Sequence, residues 1–143
     1  MSARTKARKR ALDLLYGADL REISLNSALA MEAARAVSQP DRAASWEYAR
    51  QIVNGIAEHG DEIDELIETY AQGWSIDRMP VLDRAIIRIG IWEILFNDDV
   101  PTGVAISEAV DAAKSLSTED SGGFVNGLLG RIAQTKPTQP TKP

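Results

Sequence analysis

Pro80-Val-Leu-Asp-Arg-Ala-Ile-Ile-Arg-Ile-Gly-Ile-Trp-Glu-Ile-Leu-Phe-Asn97 is the stretch that decides the fold. Leu82, Ile86, Ile89, Leu95 and Phe96 would suffice for one apolar helical face, yet Ile87, Ile91, Trp92 and Ile94 fill the others. A helix that is apolar nearly all round belongs inside a bundle, enclosed by other helices. It is not a membrane span, because Arg88 and Glu93 interrupt its longest apolar run, Ile86 to Phe96.

The surrounding sequence supplies the enclosing helices. Ala, Leu, Glu and Arg are plentiful, and no period-two run bounded by turn residues suggests a strand. A first helix is expected from about Ala3 to Arg21, with Ala7, Ala11, Leu14 and Ala18 on one face and Leu15 beside them. A second follows Ser24 through Leu25, Leu29 and Val37, and Ser38 to Ala44 reads as a connection. A third spans about Ala44 to His59 and ends at Gly60, with Asp61 placed to cap a fourth that stops near Gly73. Beyond the central stretch, Thr102 is expected to cap a sixth helix, and Ser117 or Thr118 a seventh. Pro40, Pro80 and Pro101 should sit near helix starts or connections.

The expected fold is therefore all-α. About seven helices form one unit over residues 1–135, with helical halves near 1–75 and 76–135 around a shared core. The tail, residues 136–143, has three prolines and no apolar side chain, and is expected to be disordered. No signal-type apolar run follows the charged start, so a cytoplasmic protein is expected.

Composition argues against an enzyme. The chain has no cysteine and a single histidine, His59, whose plainest role is at a helix C-terminus. No nucleophile elbow, Walker-type or dinucleotide-binding glycine element occurs. Acidic clusters such as Asp61, Glu62, Asp64 and Glu65 read as a solvated first turn, so neither a metal nor a cofactor is expected.

Charge, in contrast, is unevenly placed. Arg4, Lys6, Arg8, Lys9 and Arg10 are five of the sixteen basic residues, and no acid precedes Asp13. The eleven other basic residues face 21 acids, so the rest of the chain carries −10 against −5 overall. Positive charge opposes the macrodipole at a helix start, and no acid within four residues compensates Arg4, Lys6 or Arg8. A basic end with charge on several sides is expected to protrude or be disordered, and a short nucleic-acid contact explains it. An acidic body fits a short single strand better than a long duplex, with Tyr16 available for stacking. Phe124, after two glycines, reads as core or as a ring offered to a base, and Asn126 as bonding backbone or a partner strand.

An ordered set of motifs resembles the NusB family. Asp83-Arg-Ala-Ile-Ile-Arg88 with Trp92-Glu93 comes first, then Val100-Pro101, then Ala105-Ile106-Ser-Glu108-Ala109-Val110. Phe124-Val-Asn126-Gly-Leu-Leu129 follows, and Ala7-Arg8…Ala11-Leu12…Leu15-Tyr16 resembles the family's start. The likeness runs to about Gln134. It implies a bacterial transcription antitermination factor that binds boxA RNA of ribosomal RNA transcripts together with NusE, a small-subunit ribosomal protein. It further implies membership of an RNA polymerase elongation complex with other Nus factors, and a part in rRNA maturation. Carried over by position, it puts Arg4, Lys6, Arg8, Lys9 and Arg10 at the arginine-rich helix start. Tyr16, Asp83, Asp120 and Phe124 fall at the RNA face. Here the basic residues are interspersed with Thr5 and Ala7 rather than consecutive. Glu93 and Glu108 read as helix-surface or capping residues. Family members occur as monomers and as homodimers, and the small apolar set from Leu25 to Val37 does not choose between them. Two other readings are an accessory domain of an rRNA methyltransferase, and a purely structural helical adaptor.

Overall fold

The computed structural model describes residues 2–136, without the side chains of residue 36 and residues 40–44. The expected tail lies outside the described residues except for Lys136, whose ammonium sits 3.4 Å from Asp98. Seven α-helices follow one another: α1 (Ala3–Arg21), α2 (Leu25–Ser38), α3 (Pro40–Glu58), α4 (Gly60–Tyr70), α5 (Val81–Phe96), α6 (Thr102–Leu116) and α7 (Ser121–Ala133). A 3-10 turn, Ile76–Arg78, bridges α4 and α5. No strand occurs among the described residues, and no helix there is long and apolar enough to cross a membrane.

The helix α5 is the hub. It packs on α1, α3, α4, α6 and α7, and its residues Ala85 to Ile94 are buried except for Arg88. Ile87, Ile91 and Ile94 are wholly enclosed, as the apolar circumference of this segment requires. Around it, α1 and α3 pair along Ala7, Ala11 and Leu15 against Ala49, Ile52, Val53 and Ile56, while α7 contributes Val125, Leu128, Leu129 and Ile132. Polar ties cross the outer joins. Arg88 reaches Asp64 of α4 through two bonds of 3.0 and 3.3 Å, and Arg131 of α7 donates to the Tyr70 carbonyl at 3.1 Å.

Helix identities agree with expectation, while several boundaries differ. Ser24 caps α2 as expected, its hydroxyl accepting from the Ser27 N–H at 3.1 Å. The segment read as a connection, Ser38 to Ala44, is mostly helix, because Pro40 occupies the first helical turn, where its missing N–H and fixed φ fit. Asp61 is no cap but a first-turn acid of α4, and α4 ends at Tyr70. Thr102 lies within α6, whose N-cap position is held by Pro101. Neither Ser117 nor Thr118 caps α7, which starts three residues later behind Asp120.

Two glycines record how tightly α5 is gripped. A Cβ at Gly55 would lie 1.9 Å from Trp92 Nε1, and one at Gly90 would lie 2.7 Å from Leu129 Cδ1. Overpacking of this kind costs about 1–3 kcal/mol. Gly55→Ala should therefore lower the denaturant midpoint clearly. Gly90→Ala should lower it less, since it meets only the end of a flexible leucine. Equal or absent losses in urea unfolding would contradict this packing.

Candidate nucleic-acid interface

The basic start of α1 is an ordered helix, not a loose arm. Ser2 caps it, accepting from the Thr5 N–H at 3.1 Å. Its cations then divide by helical position. Arg8 falls on the same stripe as Ala7, Ala11, Leu12 and Leu15, so it points inward and is only 9% exposed. This corrects the expectation that no basic residue of this end packs inward.

Inside, Arg8 meets Glu93 of α5. Its Nε donates to both carboxylate oxygens, at 2.8 and 3.0 Å, and its Nη1 lies 3.4 Å from Glu108 of α6. Glu93 is 1% exposed, so it is neither a helix-surface nor a capping residue. The Tyr48 hydroxyl of α3 donates a short hydrogen bond to Glu93 and accepts one from Asn97 Nδ2 at 3.0 Å. Thr5 donates to Glu108 at 2.9 Å, and the Arg4 guanidinium lies 4.8 Å from the centre of the Tyr48 ring. Four helices thus meet at one charged knot.

Burial by itself would lower the Arg8 pKa, but hydrogen bonding and charge from Glu93, with Glu108, outweigh it and hold the guanidinium above its ordinary value. Burial, reinforced by Glu93, pushes the Tyr48 phenol well above its ordinary value of 10.0, against smaller opposing effects of Arg8 and Asn97.

Arg10 is engaged too. Its Nε donates to Ser45 at 2.5 Å and its Nη1 lies 3.6 Å from the buried Glu32 of α2. The cations left on the outside of this end are Arg4, Lys6 and Lys9. Tyr16, 39% exposed, lies further along the same helix.

The remaining expected site residues gather at the other end of α5. Asp83 is buried. Ser117 donates a short bond to its Oδ1, and Ser121 donates to its Oδ2 at 2.8 Å. Both oxygens are engaged by the α6–α7 connection, and at 4% exposure Asp83 is closed to a splayed base. This corrects its placement at an RNA face: it fixes the start of α7. That start carries Asp120, exposed at the N-cap position without a side-chain cap bond, and Phe124, half-buried. Trp74, which the sequence reading passed over, places its ring centre 6.2 Å from that of Phe124. From Glu93 to Asp83 the hub spans ten residues, or about 15 Å. The expected residues therefore form two clusters joined by α5, not one patch.

His59 terminates α3 as expected, with its ring stacked on Phe96 at 3.9 Å. Among the described residues, no group of three or more His, Cys, Asp or Glu side chains is placed to hold a metal.

The family model described as NusB family matches residues 5–134. The chain belongs to the NusB family. The transcription antitermination protein NusB of Leifsonia xyli subsp. xyli is 70% identical over 137 residues, covering 96% of this chain and 95% of its own length. Its namesake in Clavibacter michiganensis subsp. michiganensis is 66% identical over 136 residues, covering 95% of this chain and 99% of its own. Among solved structures, T. maritima NusB superposes with a TM-score of 0.80 at 35% identity, covering 93% of this chain and 92% of its own. Another similar chain comes from a crystal structure of the antitermination factors NusB and NusE in complex with double-stranded RNA. It has a TM-score of 0.79 at 32% identity, covering 94% of this chain and 98% of that one.

Removing one partner of a buried ion pair strands the other and costs about 3–5 kcal/mol. Glu93→Gln should lower unfolding stability by that order in chemical denaturation, whereas a surface-pair deletion such as Glu47→Gln should change it little. A second expectation follows from Tyr48. Unfolded, its phenol ionises near 10; folded, it keeps its proton. The contribution is thus present below about pH 10 and is lost as pH rises past it. Wild-type melting temperature should fall more steeply than that of Tyr48→Phe above about pH 10.

Proposed function

We propose that this chain is a non-catalytic antitermination factor that binds boxA RNA of ribosomal RNA transcripts together with NusE. In this reading it acts in the cytoplasm, within an RNA polymerase elongation complex containing other Nus factors, and promotes terminator read-through and rRNA maturation. The observation that carries the proposal is the solved NusB–NusE–RNA assembly, whose NusB chain has this fold at 32% identity.

The site supports the reading in physical terms. Arg4, Lys6 and Lys9 supply phosphate affinity, which carries no sequence information. Selectivity belongs to Tyr16, Asp120 and Phe124, since RNA sequence is read on unstacked bases by rings and by hydrogen bonds to base edges. Arg8, Arg10 and Asp83 act from within, by setting where those groups stand. The acidic body limits indiscriminate RNA binding and complements a basic ribosomal protein.

Binding of labelled boxA RNA and a scrambled control, each with and without NusE, tests the proposal. A clear preference for boxA, strengthened by NusE, is expected; equal affinity for both RNAs at moderate salt would sink it. Within that assay Phe124→Ala should weaken boxA binding by about 1–3 kcal/mol if its ring stacks on a base. A stability loss with unchanged RNA affinity would instead make Phe124 a core residue only.

A further inference from the structure

Trp74 has no role in the account so far, and its placement is unusual. It is 53% exposed, more than Tyr16 at 39%. A single exposed apolar side chain needs no explanation by itself, so the ring's surroundings decide its meaning. The chain takes pains to put it there. After α4 ends at Tyr70, Gln72 at φ 50° and Gly73 at φ 93° turn the backbone through two successive left-handed residues, immediately before Trp74. The Ile76 N–H then bonds to Glu68 at 3.2 Å, pinning the far side of the turn back onto α4.

The ring's neighbour says what it meets. Phe124 lies against it, with planes inclined at 55°, so the two rings form a shallow aromatic corner, not a closed stack. Phe124 belongs to the first turns of α7, a helix of 13 residues with no side-chain cap and no acid in its first turn. Asp120 holds its N-cap position. Two glycines lie in its first turn. A Cβ at Gly123 would meet nothing within 4 Å, and at Gly122 the stem of Lys114 lies so close that a Cβ would come 2.8 Å from its Cγ. Lys114 thus carries a cation alongside the same helix end. The acids at hand are Glu119 and Asp120 before α7, Glu68 of α4, and, in the 3-10 turn after Trp74, Asp77, whose turn also bears Arg78.

An exposed indole with a second ring beside it matches an unpaired base, and Lys114 supplies a nearby cation for its phosphate. We propose that Trp74 and Phe124 together form the base-stacking platform of this chain, with Trp74 presenting the more accessible face to an unpaired base of single-stranded RNA. The proposal rests on the RNA-binding reading above and adds a residue to it. Asp83 has a part in the arrangement, because its bonds to Ser117 and Ser121 hold the α7 start where the two rings meet.

The test compares wild type, Trp74→Ala and Trp74→Phe by fluorescence anisotropy with labelled single-stranded boxA and scrambled RNAs across a salt series, and with labelled NusE alone. Melting temperatures confirm folding, which an exposed side chain should hardly affect. Trp74→Ala should weaken binding about tenfold with an unchanged salt slope, because stacking releases no counterions. Trp74→Phe should recover most of the loss. Wild-type affinity in folded Trp74→Ala overturns the platform. So does a loss seen only for NusE binding, which would assign the ring to a protein contact. Failure of wild type itself to prefer boxA removes the RNA reading as well, so the two failures are told apart.

Discussion

A buried ion pair between the first helix and the central one governs this molecule. Arg8 and Glu93 lie 85 residues apart in sequence, and their side chains meet out of water; Tyr48 bonds Glu93 and Glu108 pairs with Arg8, while Asn97 and Thr5 hold those two partners in turn. Burying two charges is costly unless geometry and further hydrogen bonds offset it. Here the offset requires α1, α3, α5 and α6 to be in register at one point. An apolar contact would tolerate sliding or rotation of α1 by a few degrees, whereas a guanidinium shared between two carboxylates is held more tightly in place. The pair therefore fixes which way the other cations of α1 face.

Function follows from that orientation. The five basic residues of the start do not act alike. Arg8 and Arg10 are turned to protein carboxylates, and Arg4, Lys6 and Lys9 stay exposed. A second polar knot, Asp83 with Ser117 and Ser121, does the equivalent work at the other end of α5. It sets the start of α7 and with it Asp120, Phe124 and the ring of Trp74. In the function proposed above, phosphate affinity sits beside one end of α5, and base selectivity through Asp120 and Phe124 beside the other. This suits a ligand whose phosphates and bases must be gripped separately along its length.

The fold was legible because its main determinant is a property of one segment. Isoleucines on every face of Pro80–Asn97 can be satisfied only by enclosure, whatever surrounds them. Helix ends were less legible. Asp61, Thr102 and Ser117 have the right chemistry for caps, but at Pro101 and Pro40 a fixed φ sets the boundary, and Ser117 is claimed by Asp83. The sequence marked charged residues but not which way they face: Arg8, Arg10 and Asp83 turn to protein partners. Searching four residues either way for a partner to Arg8 finds no acid, because its partners come from α5 and α6. The burial of Asp83 and the exposure of Trp74 depend on how α6 and α7 cross α5, which no local pattern encodes. One signal was present: a tryptophan directly after Gly73, in a break between helices, is poorly placed to serve a core.

The central claim is that Arg8 is an internal strut and not a phosphate ligand. Removing both charges together, as Arg8→Met with Glu93→Leu, leaves no fully buried charge, since the remaining partner Glu108 is 27% exposed, and such replacements of buried pairs are often tolerated. The decisive measurement is the salt dependence of boxA RNA binding for wild type, this double variant and Lys9→Ala. The double variant should keep the wild-type log–log slope, while Lys9→Ala should lose about 0.7 from it, the share of one phosphate contact on a single strand. A folded double variant whose slope falls as far as that of Lys9→Ala would contradict the account.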